Sequence, residues 1–294
     1  MNWTLEEAPT GNTLRLVAGN AAQLALIPPP TVGVVHLVLG YGSVLPDLSI
    51  VETFPDLRTV TVETPGLSGL WGIEKRLQIE TVFLLDGAGE LDLAPLAELP
   101  ALNHLWLHRL TPSQDRVVRG IQGLKHLALE QVESEEFLCP AGLSTFRLRN
   151  SKTRRLLLLD EAPDFLEVRR CFRLDDVAGL WLATRRLDLQ IGRKSLETDL
   201  LETFPAISSL RVSRAALQGV MAGTSENRSL LSLDVGGTVS PEEVGVVVKR
   251  LPSLTSLAVR NWNATTTRVA SKLYPAIEVT NGRSVFRDGQ LLSK

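Results

Sequence analysis

A short apolar formula recurs along this chain and restricts what it can fold into. Leu102-Asn103-His104-Leu105-Trp106-Leu107-His108 places apolar residues at positions 1, 4 and 6, just after the turn Leu99-Pro100-Ala101. The same formula returns at Leu57–Val62, Leu124–Leu129, Ile207–Val212 and Leu254–Val259. Over positions 4 to 6 the alternation is that of a strand, with 4 and 6 on one face and 3, 5 and 7 on the other. One such strand cannot bury its apolar side alone, so the repeats must stack, each turn covering its neighbour.

From Val34 onward the fourth position falls at Leu37, Val60, Val82, Leu105, Leu127, Phe146, Leu166, Leu187, Leu210, Leu233, Leu257 and Ile277, spaced by about 20–24 residues. With this period the chain resembles the leucine-rich repeat family, of a bacterial, single-solenoid type. The resemblance implies an α/β fold: a horseshoe-shaped solenoid with a curved parallel sheet on its concave face and mixed helical and extended connections on its convex face. One solenoid domain over 1–294 is expected, with an N-terminal cap at 1–30, repeats at 31–276 and a C-terminal hairpin cap at 277–294. Family members usually carry Asn or Cys at the ninth position, whereas this chain has Gly42, Pro65, Leu110, Val132, Ser151 and Trp262, with Cys171 the one good match. The backbone groups at those bends must then be satisfied in other ways, and irregular coils are expected.

In the N-terminal cap, Thr13–Val17 and Leu24–Ile27 read as short strands around Gly19-Asn20, ending at Pro28-Pro29-Pro30. Among the connections, Ser240-Pro241-Glu242-Glu243 and Thr111-Pro112-Ser113-Gln114 combine an N-cap residue, a first-turn proline and a capping box, which predicts helices. Leu91–Leu99 and Ser195–Thr203 read as helical, and Arg154–Leu159 as an extended outer segment. Ile277–Thr280, Asn281-Gly282 and Arg283–Phe286 read as a hairpin with a tight turn.

No apolar run approaches the roughly 18 residues of a spanning helix, and the mean hydropathy is +0.09, so no membrane residence is expected. The acidic start Met1–Glu7 lacks the positive charge of a secretory leader, and Cys139 and Cys171 are too few for a disulfide framework. A cytoplasmic location is the expectation. Charge is uneven: before residue 141, 8 Lys and Arg stand against 17 Asp and Glu, and after it 23 stand against 16.

Phosphate-loop, nucleophile-elbow, zinc-protease and paired-Cys zinc motifs are all missing from the sequence, and a non-enzymatic protein without cofactor is expected. The sequence instead concentrates polar and aromatic groups on the outward strand positions. His36, His104 and His126 occupy position 3 and His108 position 7, while Phe83 and Trp106 share position 5 on neighbouring turns. Three readings of the histidines stay open: ordinary surface imidazoles, a zinc site of His104, His108 and His126, or a partner contact. Phe83 and Trp106 favour the last, since large aromatics at outward positions are costly to leave bare. The later turns present Arg147, Arg149, Arg169, Arg170, Arg185, Arg186, Arg211, Arg214 and Arg260 interleaved with Glu167, Asp188 and Asp234. These form either a mutual salt-bridge ladder or a surface for an acidic partner, and the intervening acids count against nucleic acid.

The expected function is therefore protein–protein recognition on the concave face, through Phe83, His104, Trp106, His108, Arg109, His126, Arg147 and Arg149. An immunity or inhibitor protein against a bacterial toxin is one form of it. A regulatory or scaffolding subunit of a larger complex and a metal-assisted enzyme built on His104, His108 and His126 are the alternatives.

Overall fold

A computed structural model describes residues 2–20, 32–86, 90–158, 161–192, 196 and 198–293, which fall into two compact units, Met1–Ser134 and Glu135–Lys294. The expected strand at Leu24–Ile27 and the proline run lie outside the described residues.

The first unit contains β1 (Asn2–Glu6), β2 (Asn12–Asn20), β3 (Val34–Val44), β4 (Thr59–Val62), β5 (Thr81–Leu84), β6 (His104–Leu110) and β7 (His126–Val132). From β2 to β7 each strand pairs in parallel with the next, and the ladder aligns Leu37, Val60, Val82, Leu105 and Leu127. These are the fourth positions of the repeat, and all five are buried. Among the described residues of this unit only β1 runs antiparallel, an N-terminal strand missed in the sequence because it lies outside the period.

The second unit contains β9 (Thr145–Arg149), β11 (Phe165–Arg169), β13 (Arg186–Gln190), β14 (Ser209–Ser213), β15 (Ser232–Gly236), β16 (Ser256–Val259) and β17 (Glu278–Thr280), again parallel. Phe146, Leu166, Leu187, Leu210, Leu233 and Leu257 align in register. The series then breaks: Leu257 pairs with Val279, not with the expected Ile277. Ile277 instead closes a turn onto Tyr274 as Leu254 does onto Leu251, so the last coil is one residue short between its turn and its strand.

The connections follow their local signals. α1 (Pro112–Gly120) and α4 (Pro241–Val248) both carry the expected capping box, with Glu243 Oε2 accepting from the Ser240 amide at 2.7 Å. Leu91–Leu99 contains only a 3-10 turn, Ala94–Glu98, and Ser195–Thr203 only the short α2 (Leu200–Thr203), residues 195 and 197 lying outside the described set. α3 (Arg214–Ala222) and α5 (Ala264–Leu273), capped by Ser213 and Asn263, were missed because neither has a capping box. The extended segment expected at Arg154–Leu159, whose last residue lies outside the described set, contains β10 (Arg155–Leu158), the middle of a three-stranded parallel sheet with β8 (Glu136–Cys139) and β12 (Asp176–Ala178). The C-terminal hairpin pairs β17 with β18 (Val285–Arg287) across four loop residues, with the Asn281 carboxamide accepting from the amides of Arg283 and Ser284. β19 (Gln290–Ser293) adds a further antiparallel strand.

The bends, short of Asn, are satisfied by side chains that reach back one coil. Ser43 donates to Leu16 O, Thr64 to Ser43 O and Gln114 to Leu91 O in the first unit. In the second, Thr184 donates to Pro163 O, Ser213 to Ile191 O, Asn227 to Phe204 O and Trp262 Nε1 to Val239 O at 2.8 Å. Trp262, counted as a departure from the family pattern, thus satisfies a carbonyl from the ninth position by its indole N–H. A second regularity was not visible in the sequence. Arg109, Gln131, Asn150 and Arg170, the eighth residues of their coils, all have left-handed backbones, with φ between 49° and 65°.

Candidate protein-binding face

On the first unit, the parallel register sets Thr81, His104 and His126 in one column and Phe83, Trp106 and Ala128 in the next. Strand alternation turns both columns away from the buried leucines. The Phe83 ring meets Trp106 edge-on, with centroids 6.1 Å apart and planes at 73°, and meets His104 at 5.3 Å and 69°. His104 and His126 lie 5.4 Å apart. The four rings form one continuous cluster. Phe83, His104 and Trp106 are half-buried and His126 is exposed. The outward aromatics are therefore partly covered by one another, in the edge-to-face geometry that ring quadrupoles favour.

His108 continues the strand beyond Trp106 and pairs across the ladder with Glu130. Its Nδ1 is shielded from solvent and has no hydrogen-bond partner among the described residues. Among the described residues no group of three His, Cys, Asp or Glu side chains is placed to hold a metal ion, so the zinc alternative at His104, His108 and His126 is not met. His36 lies elsewhere on the sheet, half-buried, with Nε2 2.9 Å from Thr61 Oγ1. Burial, and secondarily the Arg15 guanidinium, hold its imidazole below the ordinary histidine range. Arg109 is exposed, and its left-handed backbone interrupts the strand alternation that places His104, Trp106 and His108 on one face. It lies 3.8 Å from Glu133.

On the second unit, Arg147, Arg149, Arg169, Arg211 and Arg260 of the later turns are paired with Glu167, Asp188 and Asp234, while Arg186 reaches Asp164 and Arg214 reaches Glu243. Glu167 receives Arg149 Nε at 2.6 Å, with Arg169 at 3.6 Å and Arg147 at 4.0 Å. Arg169 reaches on to Asp188 at 2.5 Å, Arg211 lies between Asp188 at 3.8 Å and Asp234 at 3.2 Å, and Arg260 ends the series on Asp234 at 3.1 Å. Arg147 and Arg149 are thus members of a salt-bridge ladder. Phe165, overlooked in the sequence, lies under two of the basic groups, with Arg147 5.8 Å and Arg186 5.1 Å from its ring centre. Its position-3 slot, beside outward arginines at positions 5 and 3 of the flanking turns, was the available signal.

No family model and no curated protein matches this chain. Among solved structures it is similar to an internalin from Listeria monocytogenes strain 4b F2365, at 12% identity over 79% of this chain and 75% of that one, with a TM-score of 0.40. The repeat assignment rests on the strand register within each unit. No helix among the described residues is long and apolar enough to cross a membrane.

Proposed function

We propose that this chain is a protein-recognition module whose binding surface is the outward sheet face carrying Phe83, His104, Trp106, His108 and His126. The observation that carries this reading is the four-ring cluster, which sets an aromatic anchor among polar imidazoles on a rigid ladder of parallel strands. Hot spots have this composition, and a preformed surface loses little conformational freedom when a partner lands. Arg109, Arg147 and Arg149 take a supporting part, since their guanidiniums are engaged with or close to acidic neighbours. The two free, buried cysteines suit a reducing cytoplasm.

The test is affinity capture from native extract with the wild-type chain and with Trp106→Ala, each checked for native circular dichroism. A protein retained by the wild type and lost with the variant supports the reading, and equal retention by both overturns it. The finer roles separate on what is captured. An inhibitor or immunity factor suppresses the activity of a captured enzyme, whereas a scaffolding subunit arrives with several components.

A further inference from the structure

On the second unit a turn over 171–174 leads from β11 into β12, closed by the Leu174 amide donating to Cys171 O at 3.2 Å. Cys171 and Leu174 are buried in the core, so the two residues between them face water. Those two are Phe172 and Arg173, and Phe172 is 66% exposed. The turn itself requires neither. Turns closed by the same i to i+3 bond over 54–57, 99–102, 204–207, 251–254 and 274–277 all carry proline first and a small or polar residue second. The underside of the ring rests on Gly192 of the next coil, where a Cβ would come within 2.5 Å of a Phe172 ring carbon. Its other side is bare.

Three bases surround this ring. Arg170 precedes it on a left-handed backbone, Arg173 follows it, and Lys152 comes from the coil before. Arg149 pairs with Arg169 on one side of the bend and Arg155 with Asp176 on the other. Lys152, midway through the intervening 150–154, therefore lies opposite the turn at the coil spacing of about 5 Å. All three bases are exposed, and among the described residues none has an ion pair or a side-chain hydrogen bond. The neighbouring acids are already held: Glu167 by Arg149 at 2.6 Å, Asp175 by Arg154 at 2.9 Å and Asp176 by Arg155 at 3.6 Å. The second unit as a whole carries 23 Lys and Arg against 18 Asp and Glu, a net of +5 that attracts anions.

Number decides the kind of anion. Nucleic acid is held through a track of about 6–10 phosphates, and an anionic membrane through clusters of about 4–8 bases. Three bases about one ring, with Asp175 and Asp176 next along the chain, fall short of both. They fit a short protein segment, because guanidiniums take carboxylates in two-point contact and the ring offers cover to one apolar side chain. We propose that this turn is a second interaction surface, receiving an acidic segment of a partner protein in which an apolar residue seated on Phe172 is flanked by carboxylates held by Lys152, Arg170 and Arg173. It stands independently of the aromatic face on the first unit.

The test uses the peptide acetyl-Glu-Glu-Leu-Glu-Glu-amide as probe, titrated into the full chain at low salt and followed by two-dimensional NMR. The expected result is saturable binding with shifts centred on Lys152, Arg170, Phe172 and Arg173. The peptide with glutamine in place of glutamate should not bind, and that with serine in place of leucine should bind about 5-fold or more weakly. Arg173→Gln and Phe172→Ala should each weaken binding about 5-fold or more with the remaining spectrum unchanged, since both side chains project into water. Absence of saturable shifts, shifts centred elsewhere, or equal binding of the glutamine peptide would overturn the inference. Tighter saturable binding of an oligothymidylate or of phosphatidylserine vesicles at the same residues would overturn it too. Trp106→Ala should leave peptide binding in place. Capture that depends on Trp106 without peptide binding sinks this surface alone, and peptide binding with capture indifferent to Trp106 sinks the aromatic anchor alone.

Discussion

Glu167→Gln is the sharpest probe of the charged ladder on the second unit. The Glu167 side chain is 5% exposed and serves three guanidiniums, at 2.6, 3.6 and 4.0 Å, whose own side chains are 33–41% exposed. Breaking a fully buried pair costs about 3–5 kcal/mol, and an exposed pair is worth about 0.2–1 kcal/mol. With the acid buried and the bases half in water, the loss should fall between these limits, at about 2 kcal/mol. Arg260→Gln is the control, because Arg260 is 56% exposed and, among the described residues, pairs with the terminal acid of the ladder, so its loss should stay below about 0.5 kcal/mol. Urea unfolding followed by circular dichroism reads both differences, first in low salt and then in about 1 M NaCl, where the screening length falls to about 3 Å. Salt should erase the Arg260 difference and leave more than half of the Glu167 difference. A Glu167→Gln protein no less stable than Arg260→Gln would refute the assignment of Glu167 as the buried centre of the ladder.

Three further outcomes are expected. At the left-handed eighth position, Gln131→Val should cost about 1–2 kcal/mol in urea unfolding, because a β-branched side chain fits that backbone poorly, while Gln131→Gly should change stability by less than about 1 kcal/mol. Burial raises the thiol pKa of both cysteines, that of Cys171 to about 11, so neither should react with a disulfide reagent at about pH 8 until urea unfolds the chain, when both should react. Burial also holds the His36 pKa below its ordinary 6.5, so as pH falls through 6.5 the unfolded chain takes up that proton first and stability declines until the folded ring is protonated too. His36→Gln should flatten this part of the curve of urea midpoint against pH.

The parallel ladder was legible in the sequence because burial writes itself there with a fixed period: each fourth-position residue from Leu37 to Leu257 sits where the spacing put it. Ile277 misled because the last coil drops one residue between turn and strand, which a count of apolar spacings does not register. The ends were less legible, since β1 and β19 join by antiparallel pairing and owe nothing to the repeat. The candidate site was half readable. Register alone placed Phe83, Trp106, His104 and His126 side by side, and their edge-on packing follows from that placement. The surface at Phe172 was not read, because Lys152, Phe172 and Arg173 lie between strands, outside the repeat formula. Charge alone makes Arg147 and Arg149 contact residues, and only the distances assign them to Glu167.

The recognition claim is tested most directly by the dissociation constant of the captured partner for four proteins: the wild type, Phe83→Ala, Trp106→Ala and the double variant. Loss of the edge-on contact should cost each single variant only about 0.5–1.5 kcal/mol of stability, so all four remain folded. Trp106→Ala should weaken binding about 30-fold or more, and the double variant should lose less than the product of the single losses, because the two rings support one another. Wild-type affinity in a natively folded Trp106→Ala protein would contradict the recognition claim.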